Sequence, residues 1–165
     1  MHYLHIISVQ ADSSEDAVEA AEEALEPYGD GAVWDWYTVG GRWKGFFNEE
    51  NTLNFAKDPE LFIETLEKVK SQNDLAAREA ARDLLNSEDL RQISAGKSNW
   101  SEITPYGTLD MALWSFRNAF SQVYNSHSGF YDAVTQTPGN PVETLNRVSL
   151  DTGDKEWLVA VDLHN

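Results

Sequence analysis

The sequence predicts an α+β fold in which an antiparallel sheet of ferredoxin-like type carries helices on one face. Three observations lead to this prediction: an apolar, β-branched run at residues 3–10, a second such run at 157–163, and amphipathic segments of helical spacing between them. Runs that are apolar at consecutive positions are typical of strands buried in the centre of a sheet. The other sheet face is expected to be open or covered by a second subunit.

A helix follows the first strand. Asp12 or Ser13 fits its N-cap, and Pro27 and Gly29 fit its end. Small and apolar side chains at helical spacing form one face, while six acidic residues lie mainly on the other, namely Glu15, Asp16, Glu19, Glu22, Glu23 and Glu26. The simplest interpretation of this acidic row is a solvated helix face.

Residues 32–39 alternate in polarity and predict a second strand, on which Trp34, Trp36 and Thr38 share one face. Gly40 and Gly41 then form a dipeptide typical of a hairpin turn, and residues 42–47 are expected to return as a short antiparallel strand.

Residues 58–96 are charged, rich in alanine and helical in pattern, and they predict a helical insertion into a single compact domain that spans 1–165. Asp58 before Pro59 fits a helix start, Asn73 and Ser87 are candidate starts of further short helices, and Gly96 closes the segment. Thr108 is expected to cap a long amphipathic helix whose apolar face reaches Tyr124 and packs on the sheet.

The composition excludes several classes of function. The chain has 165 residues and a formal charge of −16, and residues 1–41 contain no Lys or Arg. A partner such as nucleic acid is therefore excluded, because binding a polyphosphate strand depends on many cations. Cysteine is absent, which fits a reducing cytoplasm, and no apolar run approaches the roughly 18 residues that span a bilayer. We expect a cytoplasmic protein that binds no membrane, metal or cofactor.

The segment 34–47 is the candidate binding site. Its glycine amides and cations suit phosphate or carboxylate, and its aromatic rings suit stacking on a base. The predicted ligand-binding residues are Trp34, Trp36, Tyr37, Gly40, Gly41, Arg42, Trp43 and Lys44. The alternative is a structural glycine hairpin whose tryptophans belong to the core.

No complete catalytic motif occurs, and no catalytic residue is assigned. His2 and His5 are three residues apart on a strand and should point to opposite faces. His127 lies between two serines next to a glycine and is the histidine with the most site-like surroundings, whereas His164 is expected to be poorly ordered near the carboxyl end.

The run Asp35-Trp36-Tyr37-Thr38-Val39-Gly40-Gly41-Arg42-Trp43-Lys44-Gly45 resembles a signature of small uncharacterised proteins that bacteriophages encode. The resemblance covers about a dozen positions and implies no activity. It makes a phage origin reasonable, and with it an anti-defence role in the cytoplasm of a host cell.

Three hypotheses follow. The first is a non-enzymatic protein that sequesters a small anionic ligand, such as a nucleotide or cyclic-nucleotide immune signal. The second is an acidic protein–protein inhibitor that mimics nucleic acid toward a host protein. The third is a hydrolase that uses His127. An open aromatic sheet face would also favour a homodimer.

Overall fold

The computed structural model describes residues 1–29, 31–99, 107–120, 124–125, 128–149 and 153–164. Within these residues the chain is a mixture of helices and strands, which confirms the α+β class. The elements, in chain order, are β1 (His2–Gln10), α1 (Ser14–Leu25), β2 (Trp36–Val39), β3 (Thr52–Asn54), α2 (Pro59–Asn86), α3 (Glu88–Ser94), α4 (Thr108–Ala119), β4 (Phe130–Asp132), β5 (Thr137–Pro138), α5 (Val142–Ser149) and β6 (Glu156–His164).

The strands form one sheet in the order β2-β6-β1-β4-β5, and β3 also pairs with β6. The final strand β6 lies next to β1, as predicted, and the two are antiparallel from His2 opposite His164 to Gln10 opposite Glu156. However, β4 runs parallel to β1, so the prediction of an antiparallel sheet was wrong. The long helical connection before β4 brings the chain back in the direction of β1, which a short hairpin could not do. The ferredoxin-like connectivity is not confirmed.

Helices cover both faces of the sheet. On one face, odd-numbered side chains such as Ile7 and Val161 pack with Ala17, Ala21 and Leu25 of α1. On the other, even-numbered residues of the sheet pack with helical residues from α2 and α5; this second core contains Ile6, Leu158, Ala160, Phe62, Leu66, Val69 and Val148. The expectation of helices on one face was therefore wrong, because both faces carry apolar side chains that must be buried. The homodimer was expected because one sheet face would be open. Since helices cover both faces, that reason no longer applies, and the homodimer stays a prediction.

Helix α1 begins as the sequence indicates. Ser13 is the N-cap, and its hydroxyl oxygen accepts a hydrogen bond from the amide of Asp16. Leu25 is the last helical residue, and Pro27 lies in the 3₁₀ turn that follows, from Glu26 to Tyr28. Proline is compatible with this first turn because the amide hydrogen it lacks would have no helical partner there.

Strands β2 and β3 lie one after the other along the same edge of β6. Val39 of β2 is opposite Val161, and Thr52 of β3 is opposite Val159. The amide of Gly40 still donates to the carbonyl of Ala160, and the amide of Ala160 donates to the carbonyl of residue 51. Residues 40–51 are thus a loop that leaves the sheet edge and rejoins it. The predicted hairpin and returning strand 42–47 were wrong, because Gly41–Trp43 form a 3₁₀ turn.

The tryptophans of the predicted second strand occupy different environments. A turn precedes β2, in which the amide of Gly31 donates to the carbonyl of Trp34 and the amide of Val33 donates to the carbonyl of Tyr28. This turn places Trp34 in the core below α1, with no exposed surface, whereas Trp36 on the edge strand is 43% exposed. The prediction that the two rings share one strand face was wrong, since the regular strand begins only at Trp36.

The chain forms two compact units, one of residues 1–71 with 122–165 and the other of residues 72–121. Helix α2 contributes residues to both and is continuous, so the predicted helix start at Asn73 was wrong. The prediction for Asp58 is confirmed, because its carboxylate accepts from the amide of Leu61. Whether the chain acts as a single domain stays a prediction.

In the second unit, Ser87 caps α3 as predicted. Helix α4 has Gly107 as its N-cap residue, and the carboxylate of Asp89 accepts from the amide of Leu109 and the hydroxyl of Thr108. An aspartate of the neighbouring helix thus replaces the predicted cap. Helix α4 ends at Ala119 and does not reach Tyr124, which is buried in the first core. Its packing on the sheet stays a prediction. No helix in the described ranges is both long enough and apolar enough to cross a bilayer.

Candidate binding surface

One side of α1, together with Glu26 in the turn that follows it, carries a row of carboxylates that we call the acidic face. Its residues are all exposed, and they are Glu15, Asp16, Glu19, Glu22, Glu23 and Glu26. At 100° per residue they occupy about a third of the helix circumference. Within the described parts of the chain, no Lys or Arg forms an ion pair with any of them. The acidic face therefore presents uncompensated negative charge to solvent.

Neither the helix dipole nor charge pairing within the helix favours this arrangement as a whole. Glu15 and Asp16 lie in the first turn, where the helix dipole favours carboxylates, but Glu22 and Glu23 lie in the last turns, where it opposes them. Like charges four residues apart, such as Glu19 and Glu23, cost an isolated helix about 0.2–0.5 kcal/mol per pair. Since α1 contains no basic residue to offset this repulsion, the acidic face is maintained at a cost to the helix.

An aromatic cleft adjoins the acidic face at edge strand β2. Its volume is about 310 Å³, and it is lined by Glu26 and Gly29, at the start and just after the end of the 3₁₀ turn that follows α1, and by Asp35, Trp36 and Tyr37. Glu26 belongs both to the cleft and to the acidic face, so the two surfaces are continuous. Two of the five lining residues are aromatic, two carry exposed carboxylates, and none carries a positive charge.

Two histidines hold Trp36 in place. Trp36 lies opposite His164 in the pairing of β2 with β6, and the two rings stack with centroids 5.0 Å apart and an interplanar angle of 3°. The ring of His2 contacts Trp36 edge-on at 5.4 Å, and its Nδ1 lies 2.9 Å from Oδ1 of Asp162. His164 is thus an ordered part of β6, and the prediction of poor order was wrong because strand pairing extends to this residue.

Contacts with α1 hold the second ring of the cleft. The hydroxyl of Tyr37 donates a hydrogen bond to the carbonyl oxygen of Glu22 at 3.1 Å. Burial, and then the charges of Glu22 and Glu26, raise the pKa of the Tyr37 phenol above its ordinary value. The carboxylates of the acidic face therefore act on the aromatic cleft, which links the two surfaces electrostatically as well as in space.

The two glycines of the predicted ligand site have structural roles. Both have positive φ, 74° at Gly40 and 53° at Gly41. A Cβ at Gly40 would lie 2.6 Å from Nδ2 of Asn51, and a Cβ at Gly41 would collide with the side chain of Asp162. The amide of Arg42, which follows these glycines, donates to Oδ2 of Asp162 at 3.0 Å. A carboxylate of the protein thus occupies the position expected for an external anion.

The eight predicted site residues do not converge on one pocket. Trp36 and Tyr37 line the cleft, Trp34 is buried between the rings of His5 and Tyr124, and Trp43 is half-buried in the 40–51 loop. The remaining four, Gly40, Gly41, Arg42 and Lys44, lie on the same loop but line no part of the cleft, and both cationic side chains are exposed. In the described structure these eight residues do not line one common pocket, so a nucleotide ligand stays a prediction.

Sequence reasoning missed a buried charge network at the other end of the sheet. Arg147 of α5 donates to Asp132 and Glu156, with its closest contacts at 2.8 Å to each. Both carboxylates have no exposed side-chain surface, and Arg147 is 16% exposed. Thr144 and Gln10 donate to the same carboxylates. Burial alone would lower the pKa of Arg147, but the hydrogen bonds to Glu156 and Asp132 raise it.

This network fastens α5 to strands β4 and β6, and its polar groups satisfy one another. A signal for α5 was present in the sequence, since Asn140 before Pro141 is typical of a helix start and the amide of Val142 does donate to the Asn140 side chain. The pairing of Arg147 with carboxylates far away in the chain had no local signal.

Other predicted groups form no site in the described structure. His2 and His5 do contact different surroundings, the former Asp162 and the latter the hydroxyl of Tyr124. His127 lies outside the described residues, so the hydrolase hypothesis stays a prediction. Among the residues that the structure describes, no group of three or more His, Asp or Glu side chains is arranged to hold a metal ion.

Comparisons with protein families, with curated proteins and with solved structures found no match to this chain.

Proposed function

We propose that this protein binds a basic surface of a partner protein through the acidic face of α1. The observation that supports the proposal is the exposed row of carboxylates, which no Lys or Arg within the described ranges compensates and which helix stability does not require. A net charge of −16 would also accelerate the encounter with a basic partner and repel acidic ones.

This proposal corresponds to the second hypothesis from the sequence, an acidic inhibitor of a host protein. The first hypothesis, sequestration of a nucleotide, has less support because the cleft at β2 is lined by carboxylates and rings without a cation. If the protein is encoded by a phage and acts against a host defence, the basic partner would be a protein of the host cell.

The test compares two triple variants of equal charge. Glu19→Lys, Glu22→Lys and Glu23→Lys reverse the centre of the acidic face. The matched control reverses three exposed glutamates of α2, namely Glu60, Glu64 and Glu67. Wild type and both variants are immobilised and exposed to the same host-cell lysate, and captured proteins are identified and then titrated individually by calorimetry at low and high salt.

We expect a basic protein that wild type and the α2 control capture and that the α1 variant does not. The affinity should fall roughly hundredfold or more on reversal of the acidic face, because like charges then oppose each other at the contact. It should also fall with added salt, since exposed charges are screened. Equal loss in both variants would show that only net charge matters and would refute a specific role for α1.

A further inference from the structure

We infer that the exposed side of helix α4 binds a second copy of this chain, with the two α4 helices antiparallel about a two-fold axis at Trp114. This inference goes beyond the proposed function and does not depend on it, because the acidic face belongs to a different helix, α1.

Exposed apolar side chains are concentrated in the second unit, residues 72–121. Apart from Met1, the large apolar residues of the described ranges that are about half exposed or more all lie in this unit; they are Leu75, Leu85, Met111, Trp114 and Phe120. Met111 and Trp114 lie one turn apart on α4, and each is 51% exposed. Exposed apolar residues that adjoin one another mark an interaction surface more often than scattered ones do.

Helix α4 has a buried side and an exposed side. Leu109 and Ala112 are buried, and at 100° per residue both lie about 140–160° away from Trp114 around the helix axis. Trp114 is therefore at the centre of the exposed side. Within about 60° of it lie three further exposed residues, namely Asp110, Met111 and Arg117.

The positions of the two charged residues favour a second copy as the occupant. At 1.5 Å per residue, Asp110 lies about 6 Å before Trp114 along the axis and Arg117 about 4.5 Å after it. Both lie on the same side of Trp114, at about 40° and 60° from it. A two-fold axis that crosses the helix at Trp114 therefore places Arg117 of each copy next to Asp110 of the other. A parallel pair of helices would not bring these two charges together.

The other charges of the second unit also permit this contact. Within the described ranges, Arg117 forms no ion pair. Residues 72–121 contain five of the twelve basic residues of the chain but only seven of its twenty-eight acidic residues. The excess negative charge therefore lies mainly outside this unit, so repulsion between two copies that meet through α4 is smaller than the net charge alone suggests.

The residue types suit the centre of an interface. Tryptophan and arginine are enriched among the residues that dominate binding energy at protein interfaces, and methionine adapts its shape to an irregular partner surface. In the antiparallel arrangement the two Trp114 rings meet at the axis, where an aromatic pair adds to the burial of apolar surface. One helix face is a small interface, so we expect a weak dimer with a dissociation constant on the order of 100 µM.

The test is sedimentation equilibrium of the full-length protein from about 10 µM to 1 mM, which brackets that expected constant. Wild type should change from monomer toward dimer over this range. Asp110→Arg and Arg117→Asp, made separately, each place like charges against each other at the contact, and each should weaken self-association about tenfold or more. An equimolar mixture of these two variants should associate as wild type does, because every charge contact in the mixed dimer then joins opposite charges.

The matched controls change the same charges on α2. Arg82→Asp and Asp83→Arg lie at exposed positions and should each dimerise like wild type. Trp114→Ala removes the central contact without a change of charge and keeps a residue of high helix propensity. It should therefore be monomeric while its circular dichroism stays that of wild type, which tests the surface even if a charge reversal unfolds α4.

Three results would overturn the inference. The first is a wild-type protein that stays monomeric over the whole range. The second is a dimer that Trp114→Ala leaves intact or that the α2 controls weaken as much as the α4 variants do. The third is a mixture of folded Asp110→Arg and Arg117→Asp proteins that associates no more strongly than either variant alone.

Discussion

Replacing Arg147 by alanine is expected to lower the free energy of unfolding by about 3 kcal/mol. The guanidinium pairs with both Asp132 and Glu156, and neither carboxylate has any exposed side-chain surface. Breaking a buried ion pair by removing one partner costs about 3–5 kcal/mol, because the remaining charge stays desolvated. We take the lower end because Arg147 is 16% exposed, so water can enter the space that the guanidinium leaves.

The assay is urea unfolding followed by circular dichroism and tryptophan fluorescence, with a thermal scan as a second measurement. At about 2–4 °C per kcal/mol for a chain of this size, a loss of about 3 kcal/mol corresponds to a midpoint roughly 6–12 °C lower. Arg147→Lys keeps the charge but not the fork that reaches both carboxylates, so it should lie between wild type and alanine.

Arg82→Ala removes an arginine that is 65% exposed and whose nearest carboxylates are 3.9 and 4.0 Å away. Exposed pairs of this kind contribute little, so this control should unfold like wild type. A loss of less than about 1 kcal/mol for Arg147→Ala, within the range of exposed pairs, would refute the conclusion that the network is desolvated.

Two further predictions concern the cleft and the glycine loop. Glu22→Gln together with Glu26→Gln should lower the raised pKa of Tyr37 toward its ordinary value without reaching it, because burial remains; the pKa is measured by ultraviolet titration against a Tyr37→Phe variant. A raised phenol pKa also means that stability present at neutral pH is lost as the pH rises through that pKa. The double variant should therefore lose less stability under alkaline conditions than wild type does. An unchanged pKa would contradict the effect of the Glu22 and Glu26 charges on the Tyr37 phenol. Gly41→Ala should destabilise the protein by more than the roughly 1–2 kcal/mol of left-handed strain, since the new methyl group also meets Asp162 of β6. Gly31 also has a positive φ but open space around its Cβ position, so Gly31→Ala should show the strain alone in urea unfolding. Equal losses of stability in the two variants would contradict the close approach of Asp162 to Gly41.

The elements with a local signal were predictable from the sequence. The strand near the amino end, its neighbour β6 and the capped start of α1 all follow from apolar runs and from one serine with the right spacing. Their physical cause lies within a few residues of each signal, because caps and strand alternation are short-range effects.

The parts that failed depend on contacts between distant residues. Gly40 and Gly41 resemble a hairpin turn locally, but the chain beyond them continues along the same edge of β6. What decides this path is the pairing of Val39 with Val161 and of Thr52 with Val159. Sequence spacing carries no information on that register, since any two short strands could pair with each other or with a third.

The position of the candidate site was predicted in part, and its ligand stays a prediction. Trp36 and Tyr37 do line a cleft, but the cations expected beside them are on the loop that follows. The reason is visible at Asp162, whose carboxylate accepts from the backbone amide of Arg42 and lies beside His2.

The contacts of Asp162 indicate a structural role for the glycine motif. A backbone amide that already donates to a carboxylate has no hydrogen left for a phosphate, and Gly41 is required both by its positive φ and by the close approach of Asp162. The overall charge of −16 also disfavours an anionic ligand, because it repels negative charge. Under the proposed function, a basic partner is the one that both the net charge and the exposed carboxylates of α1 favour.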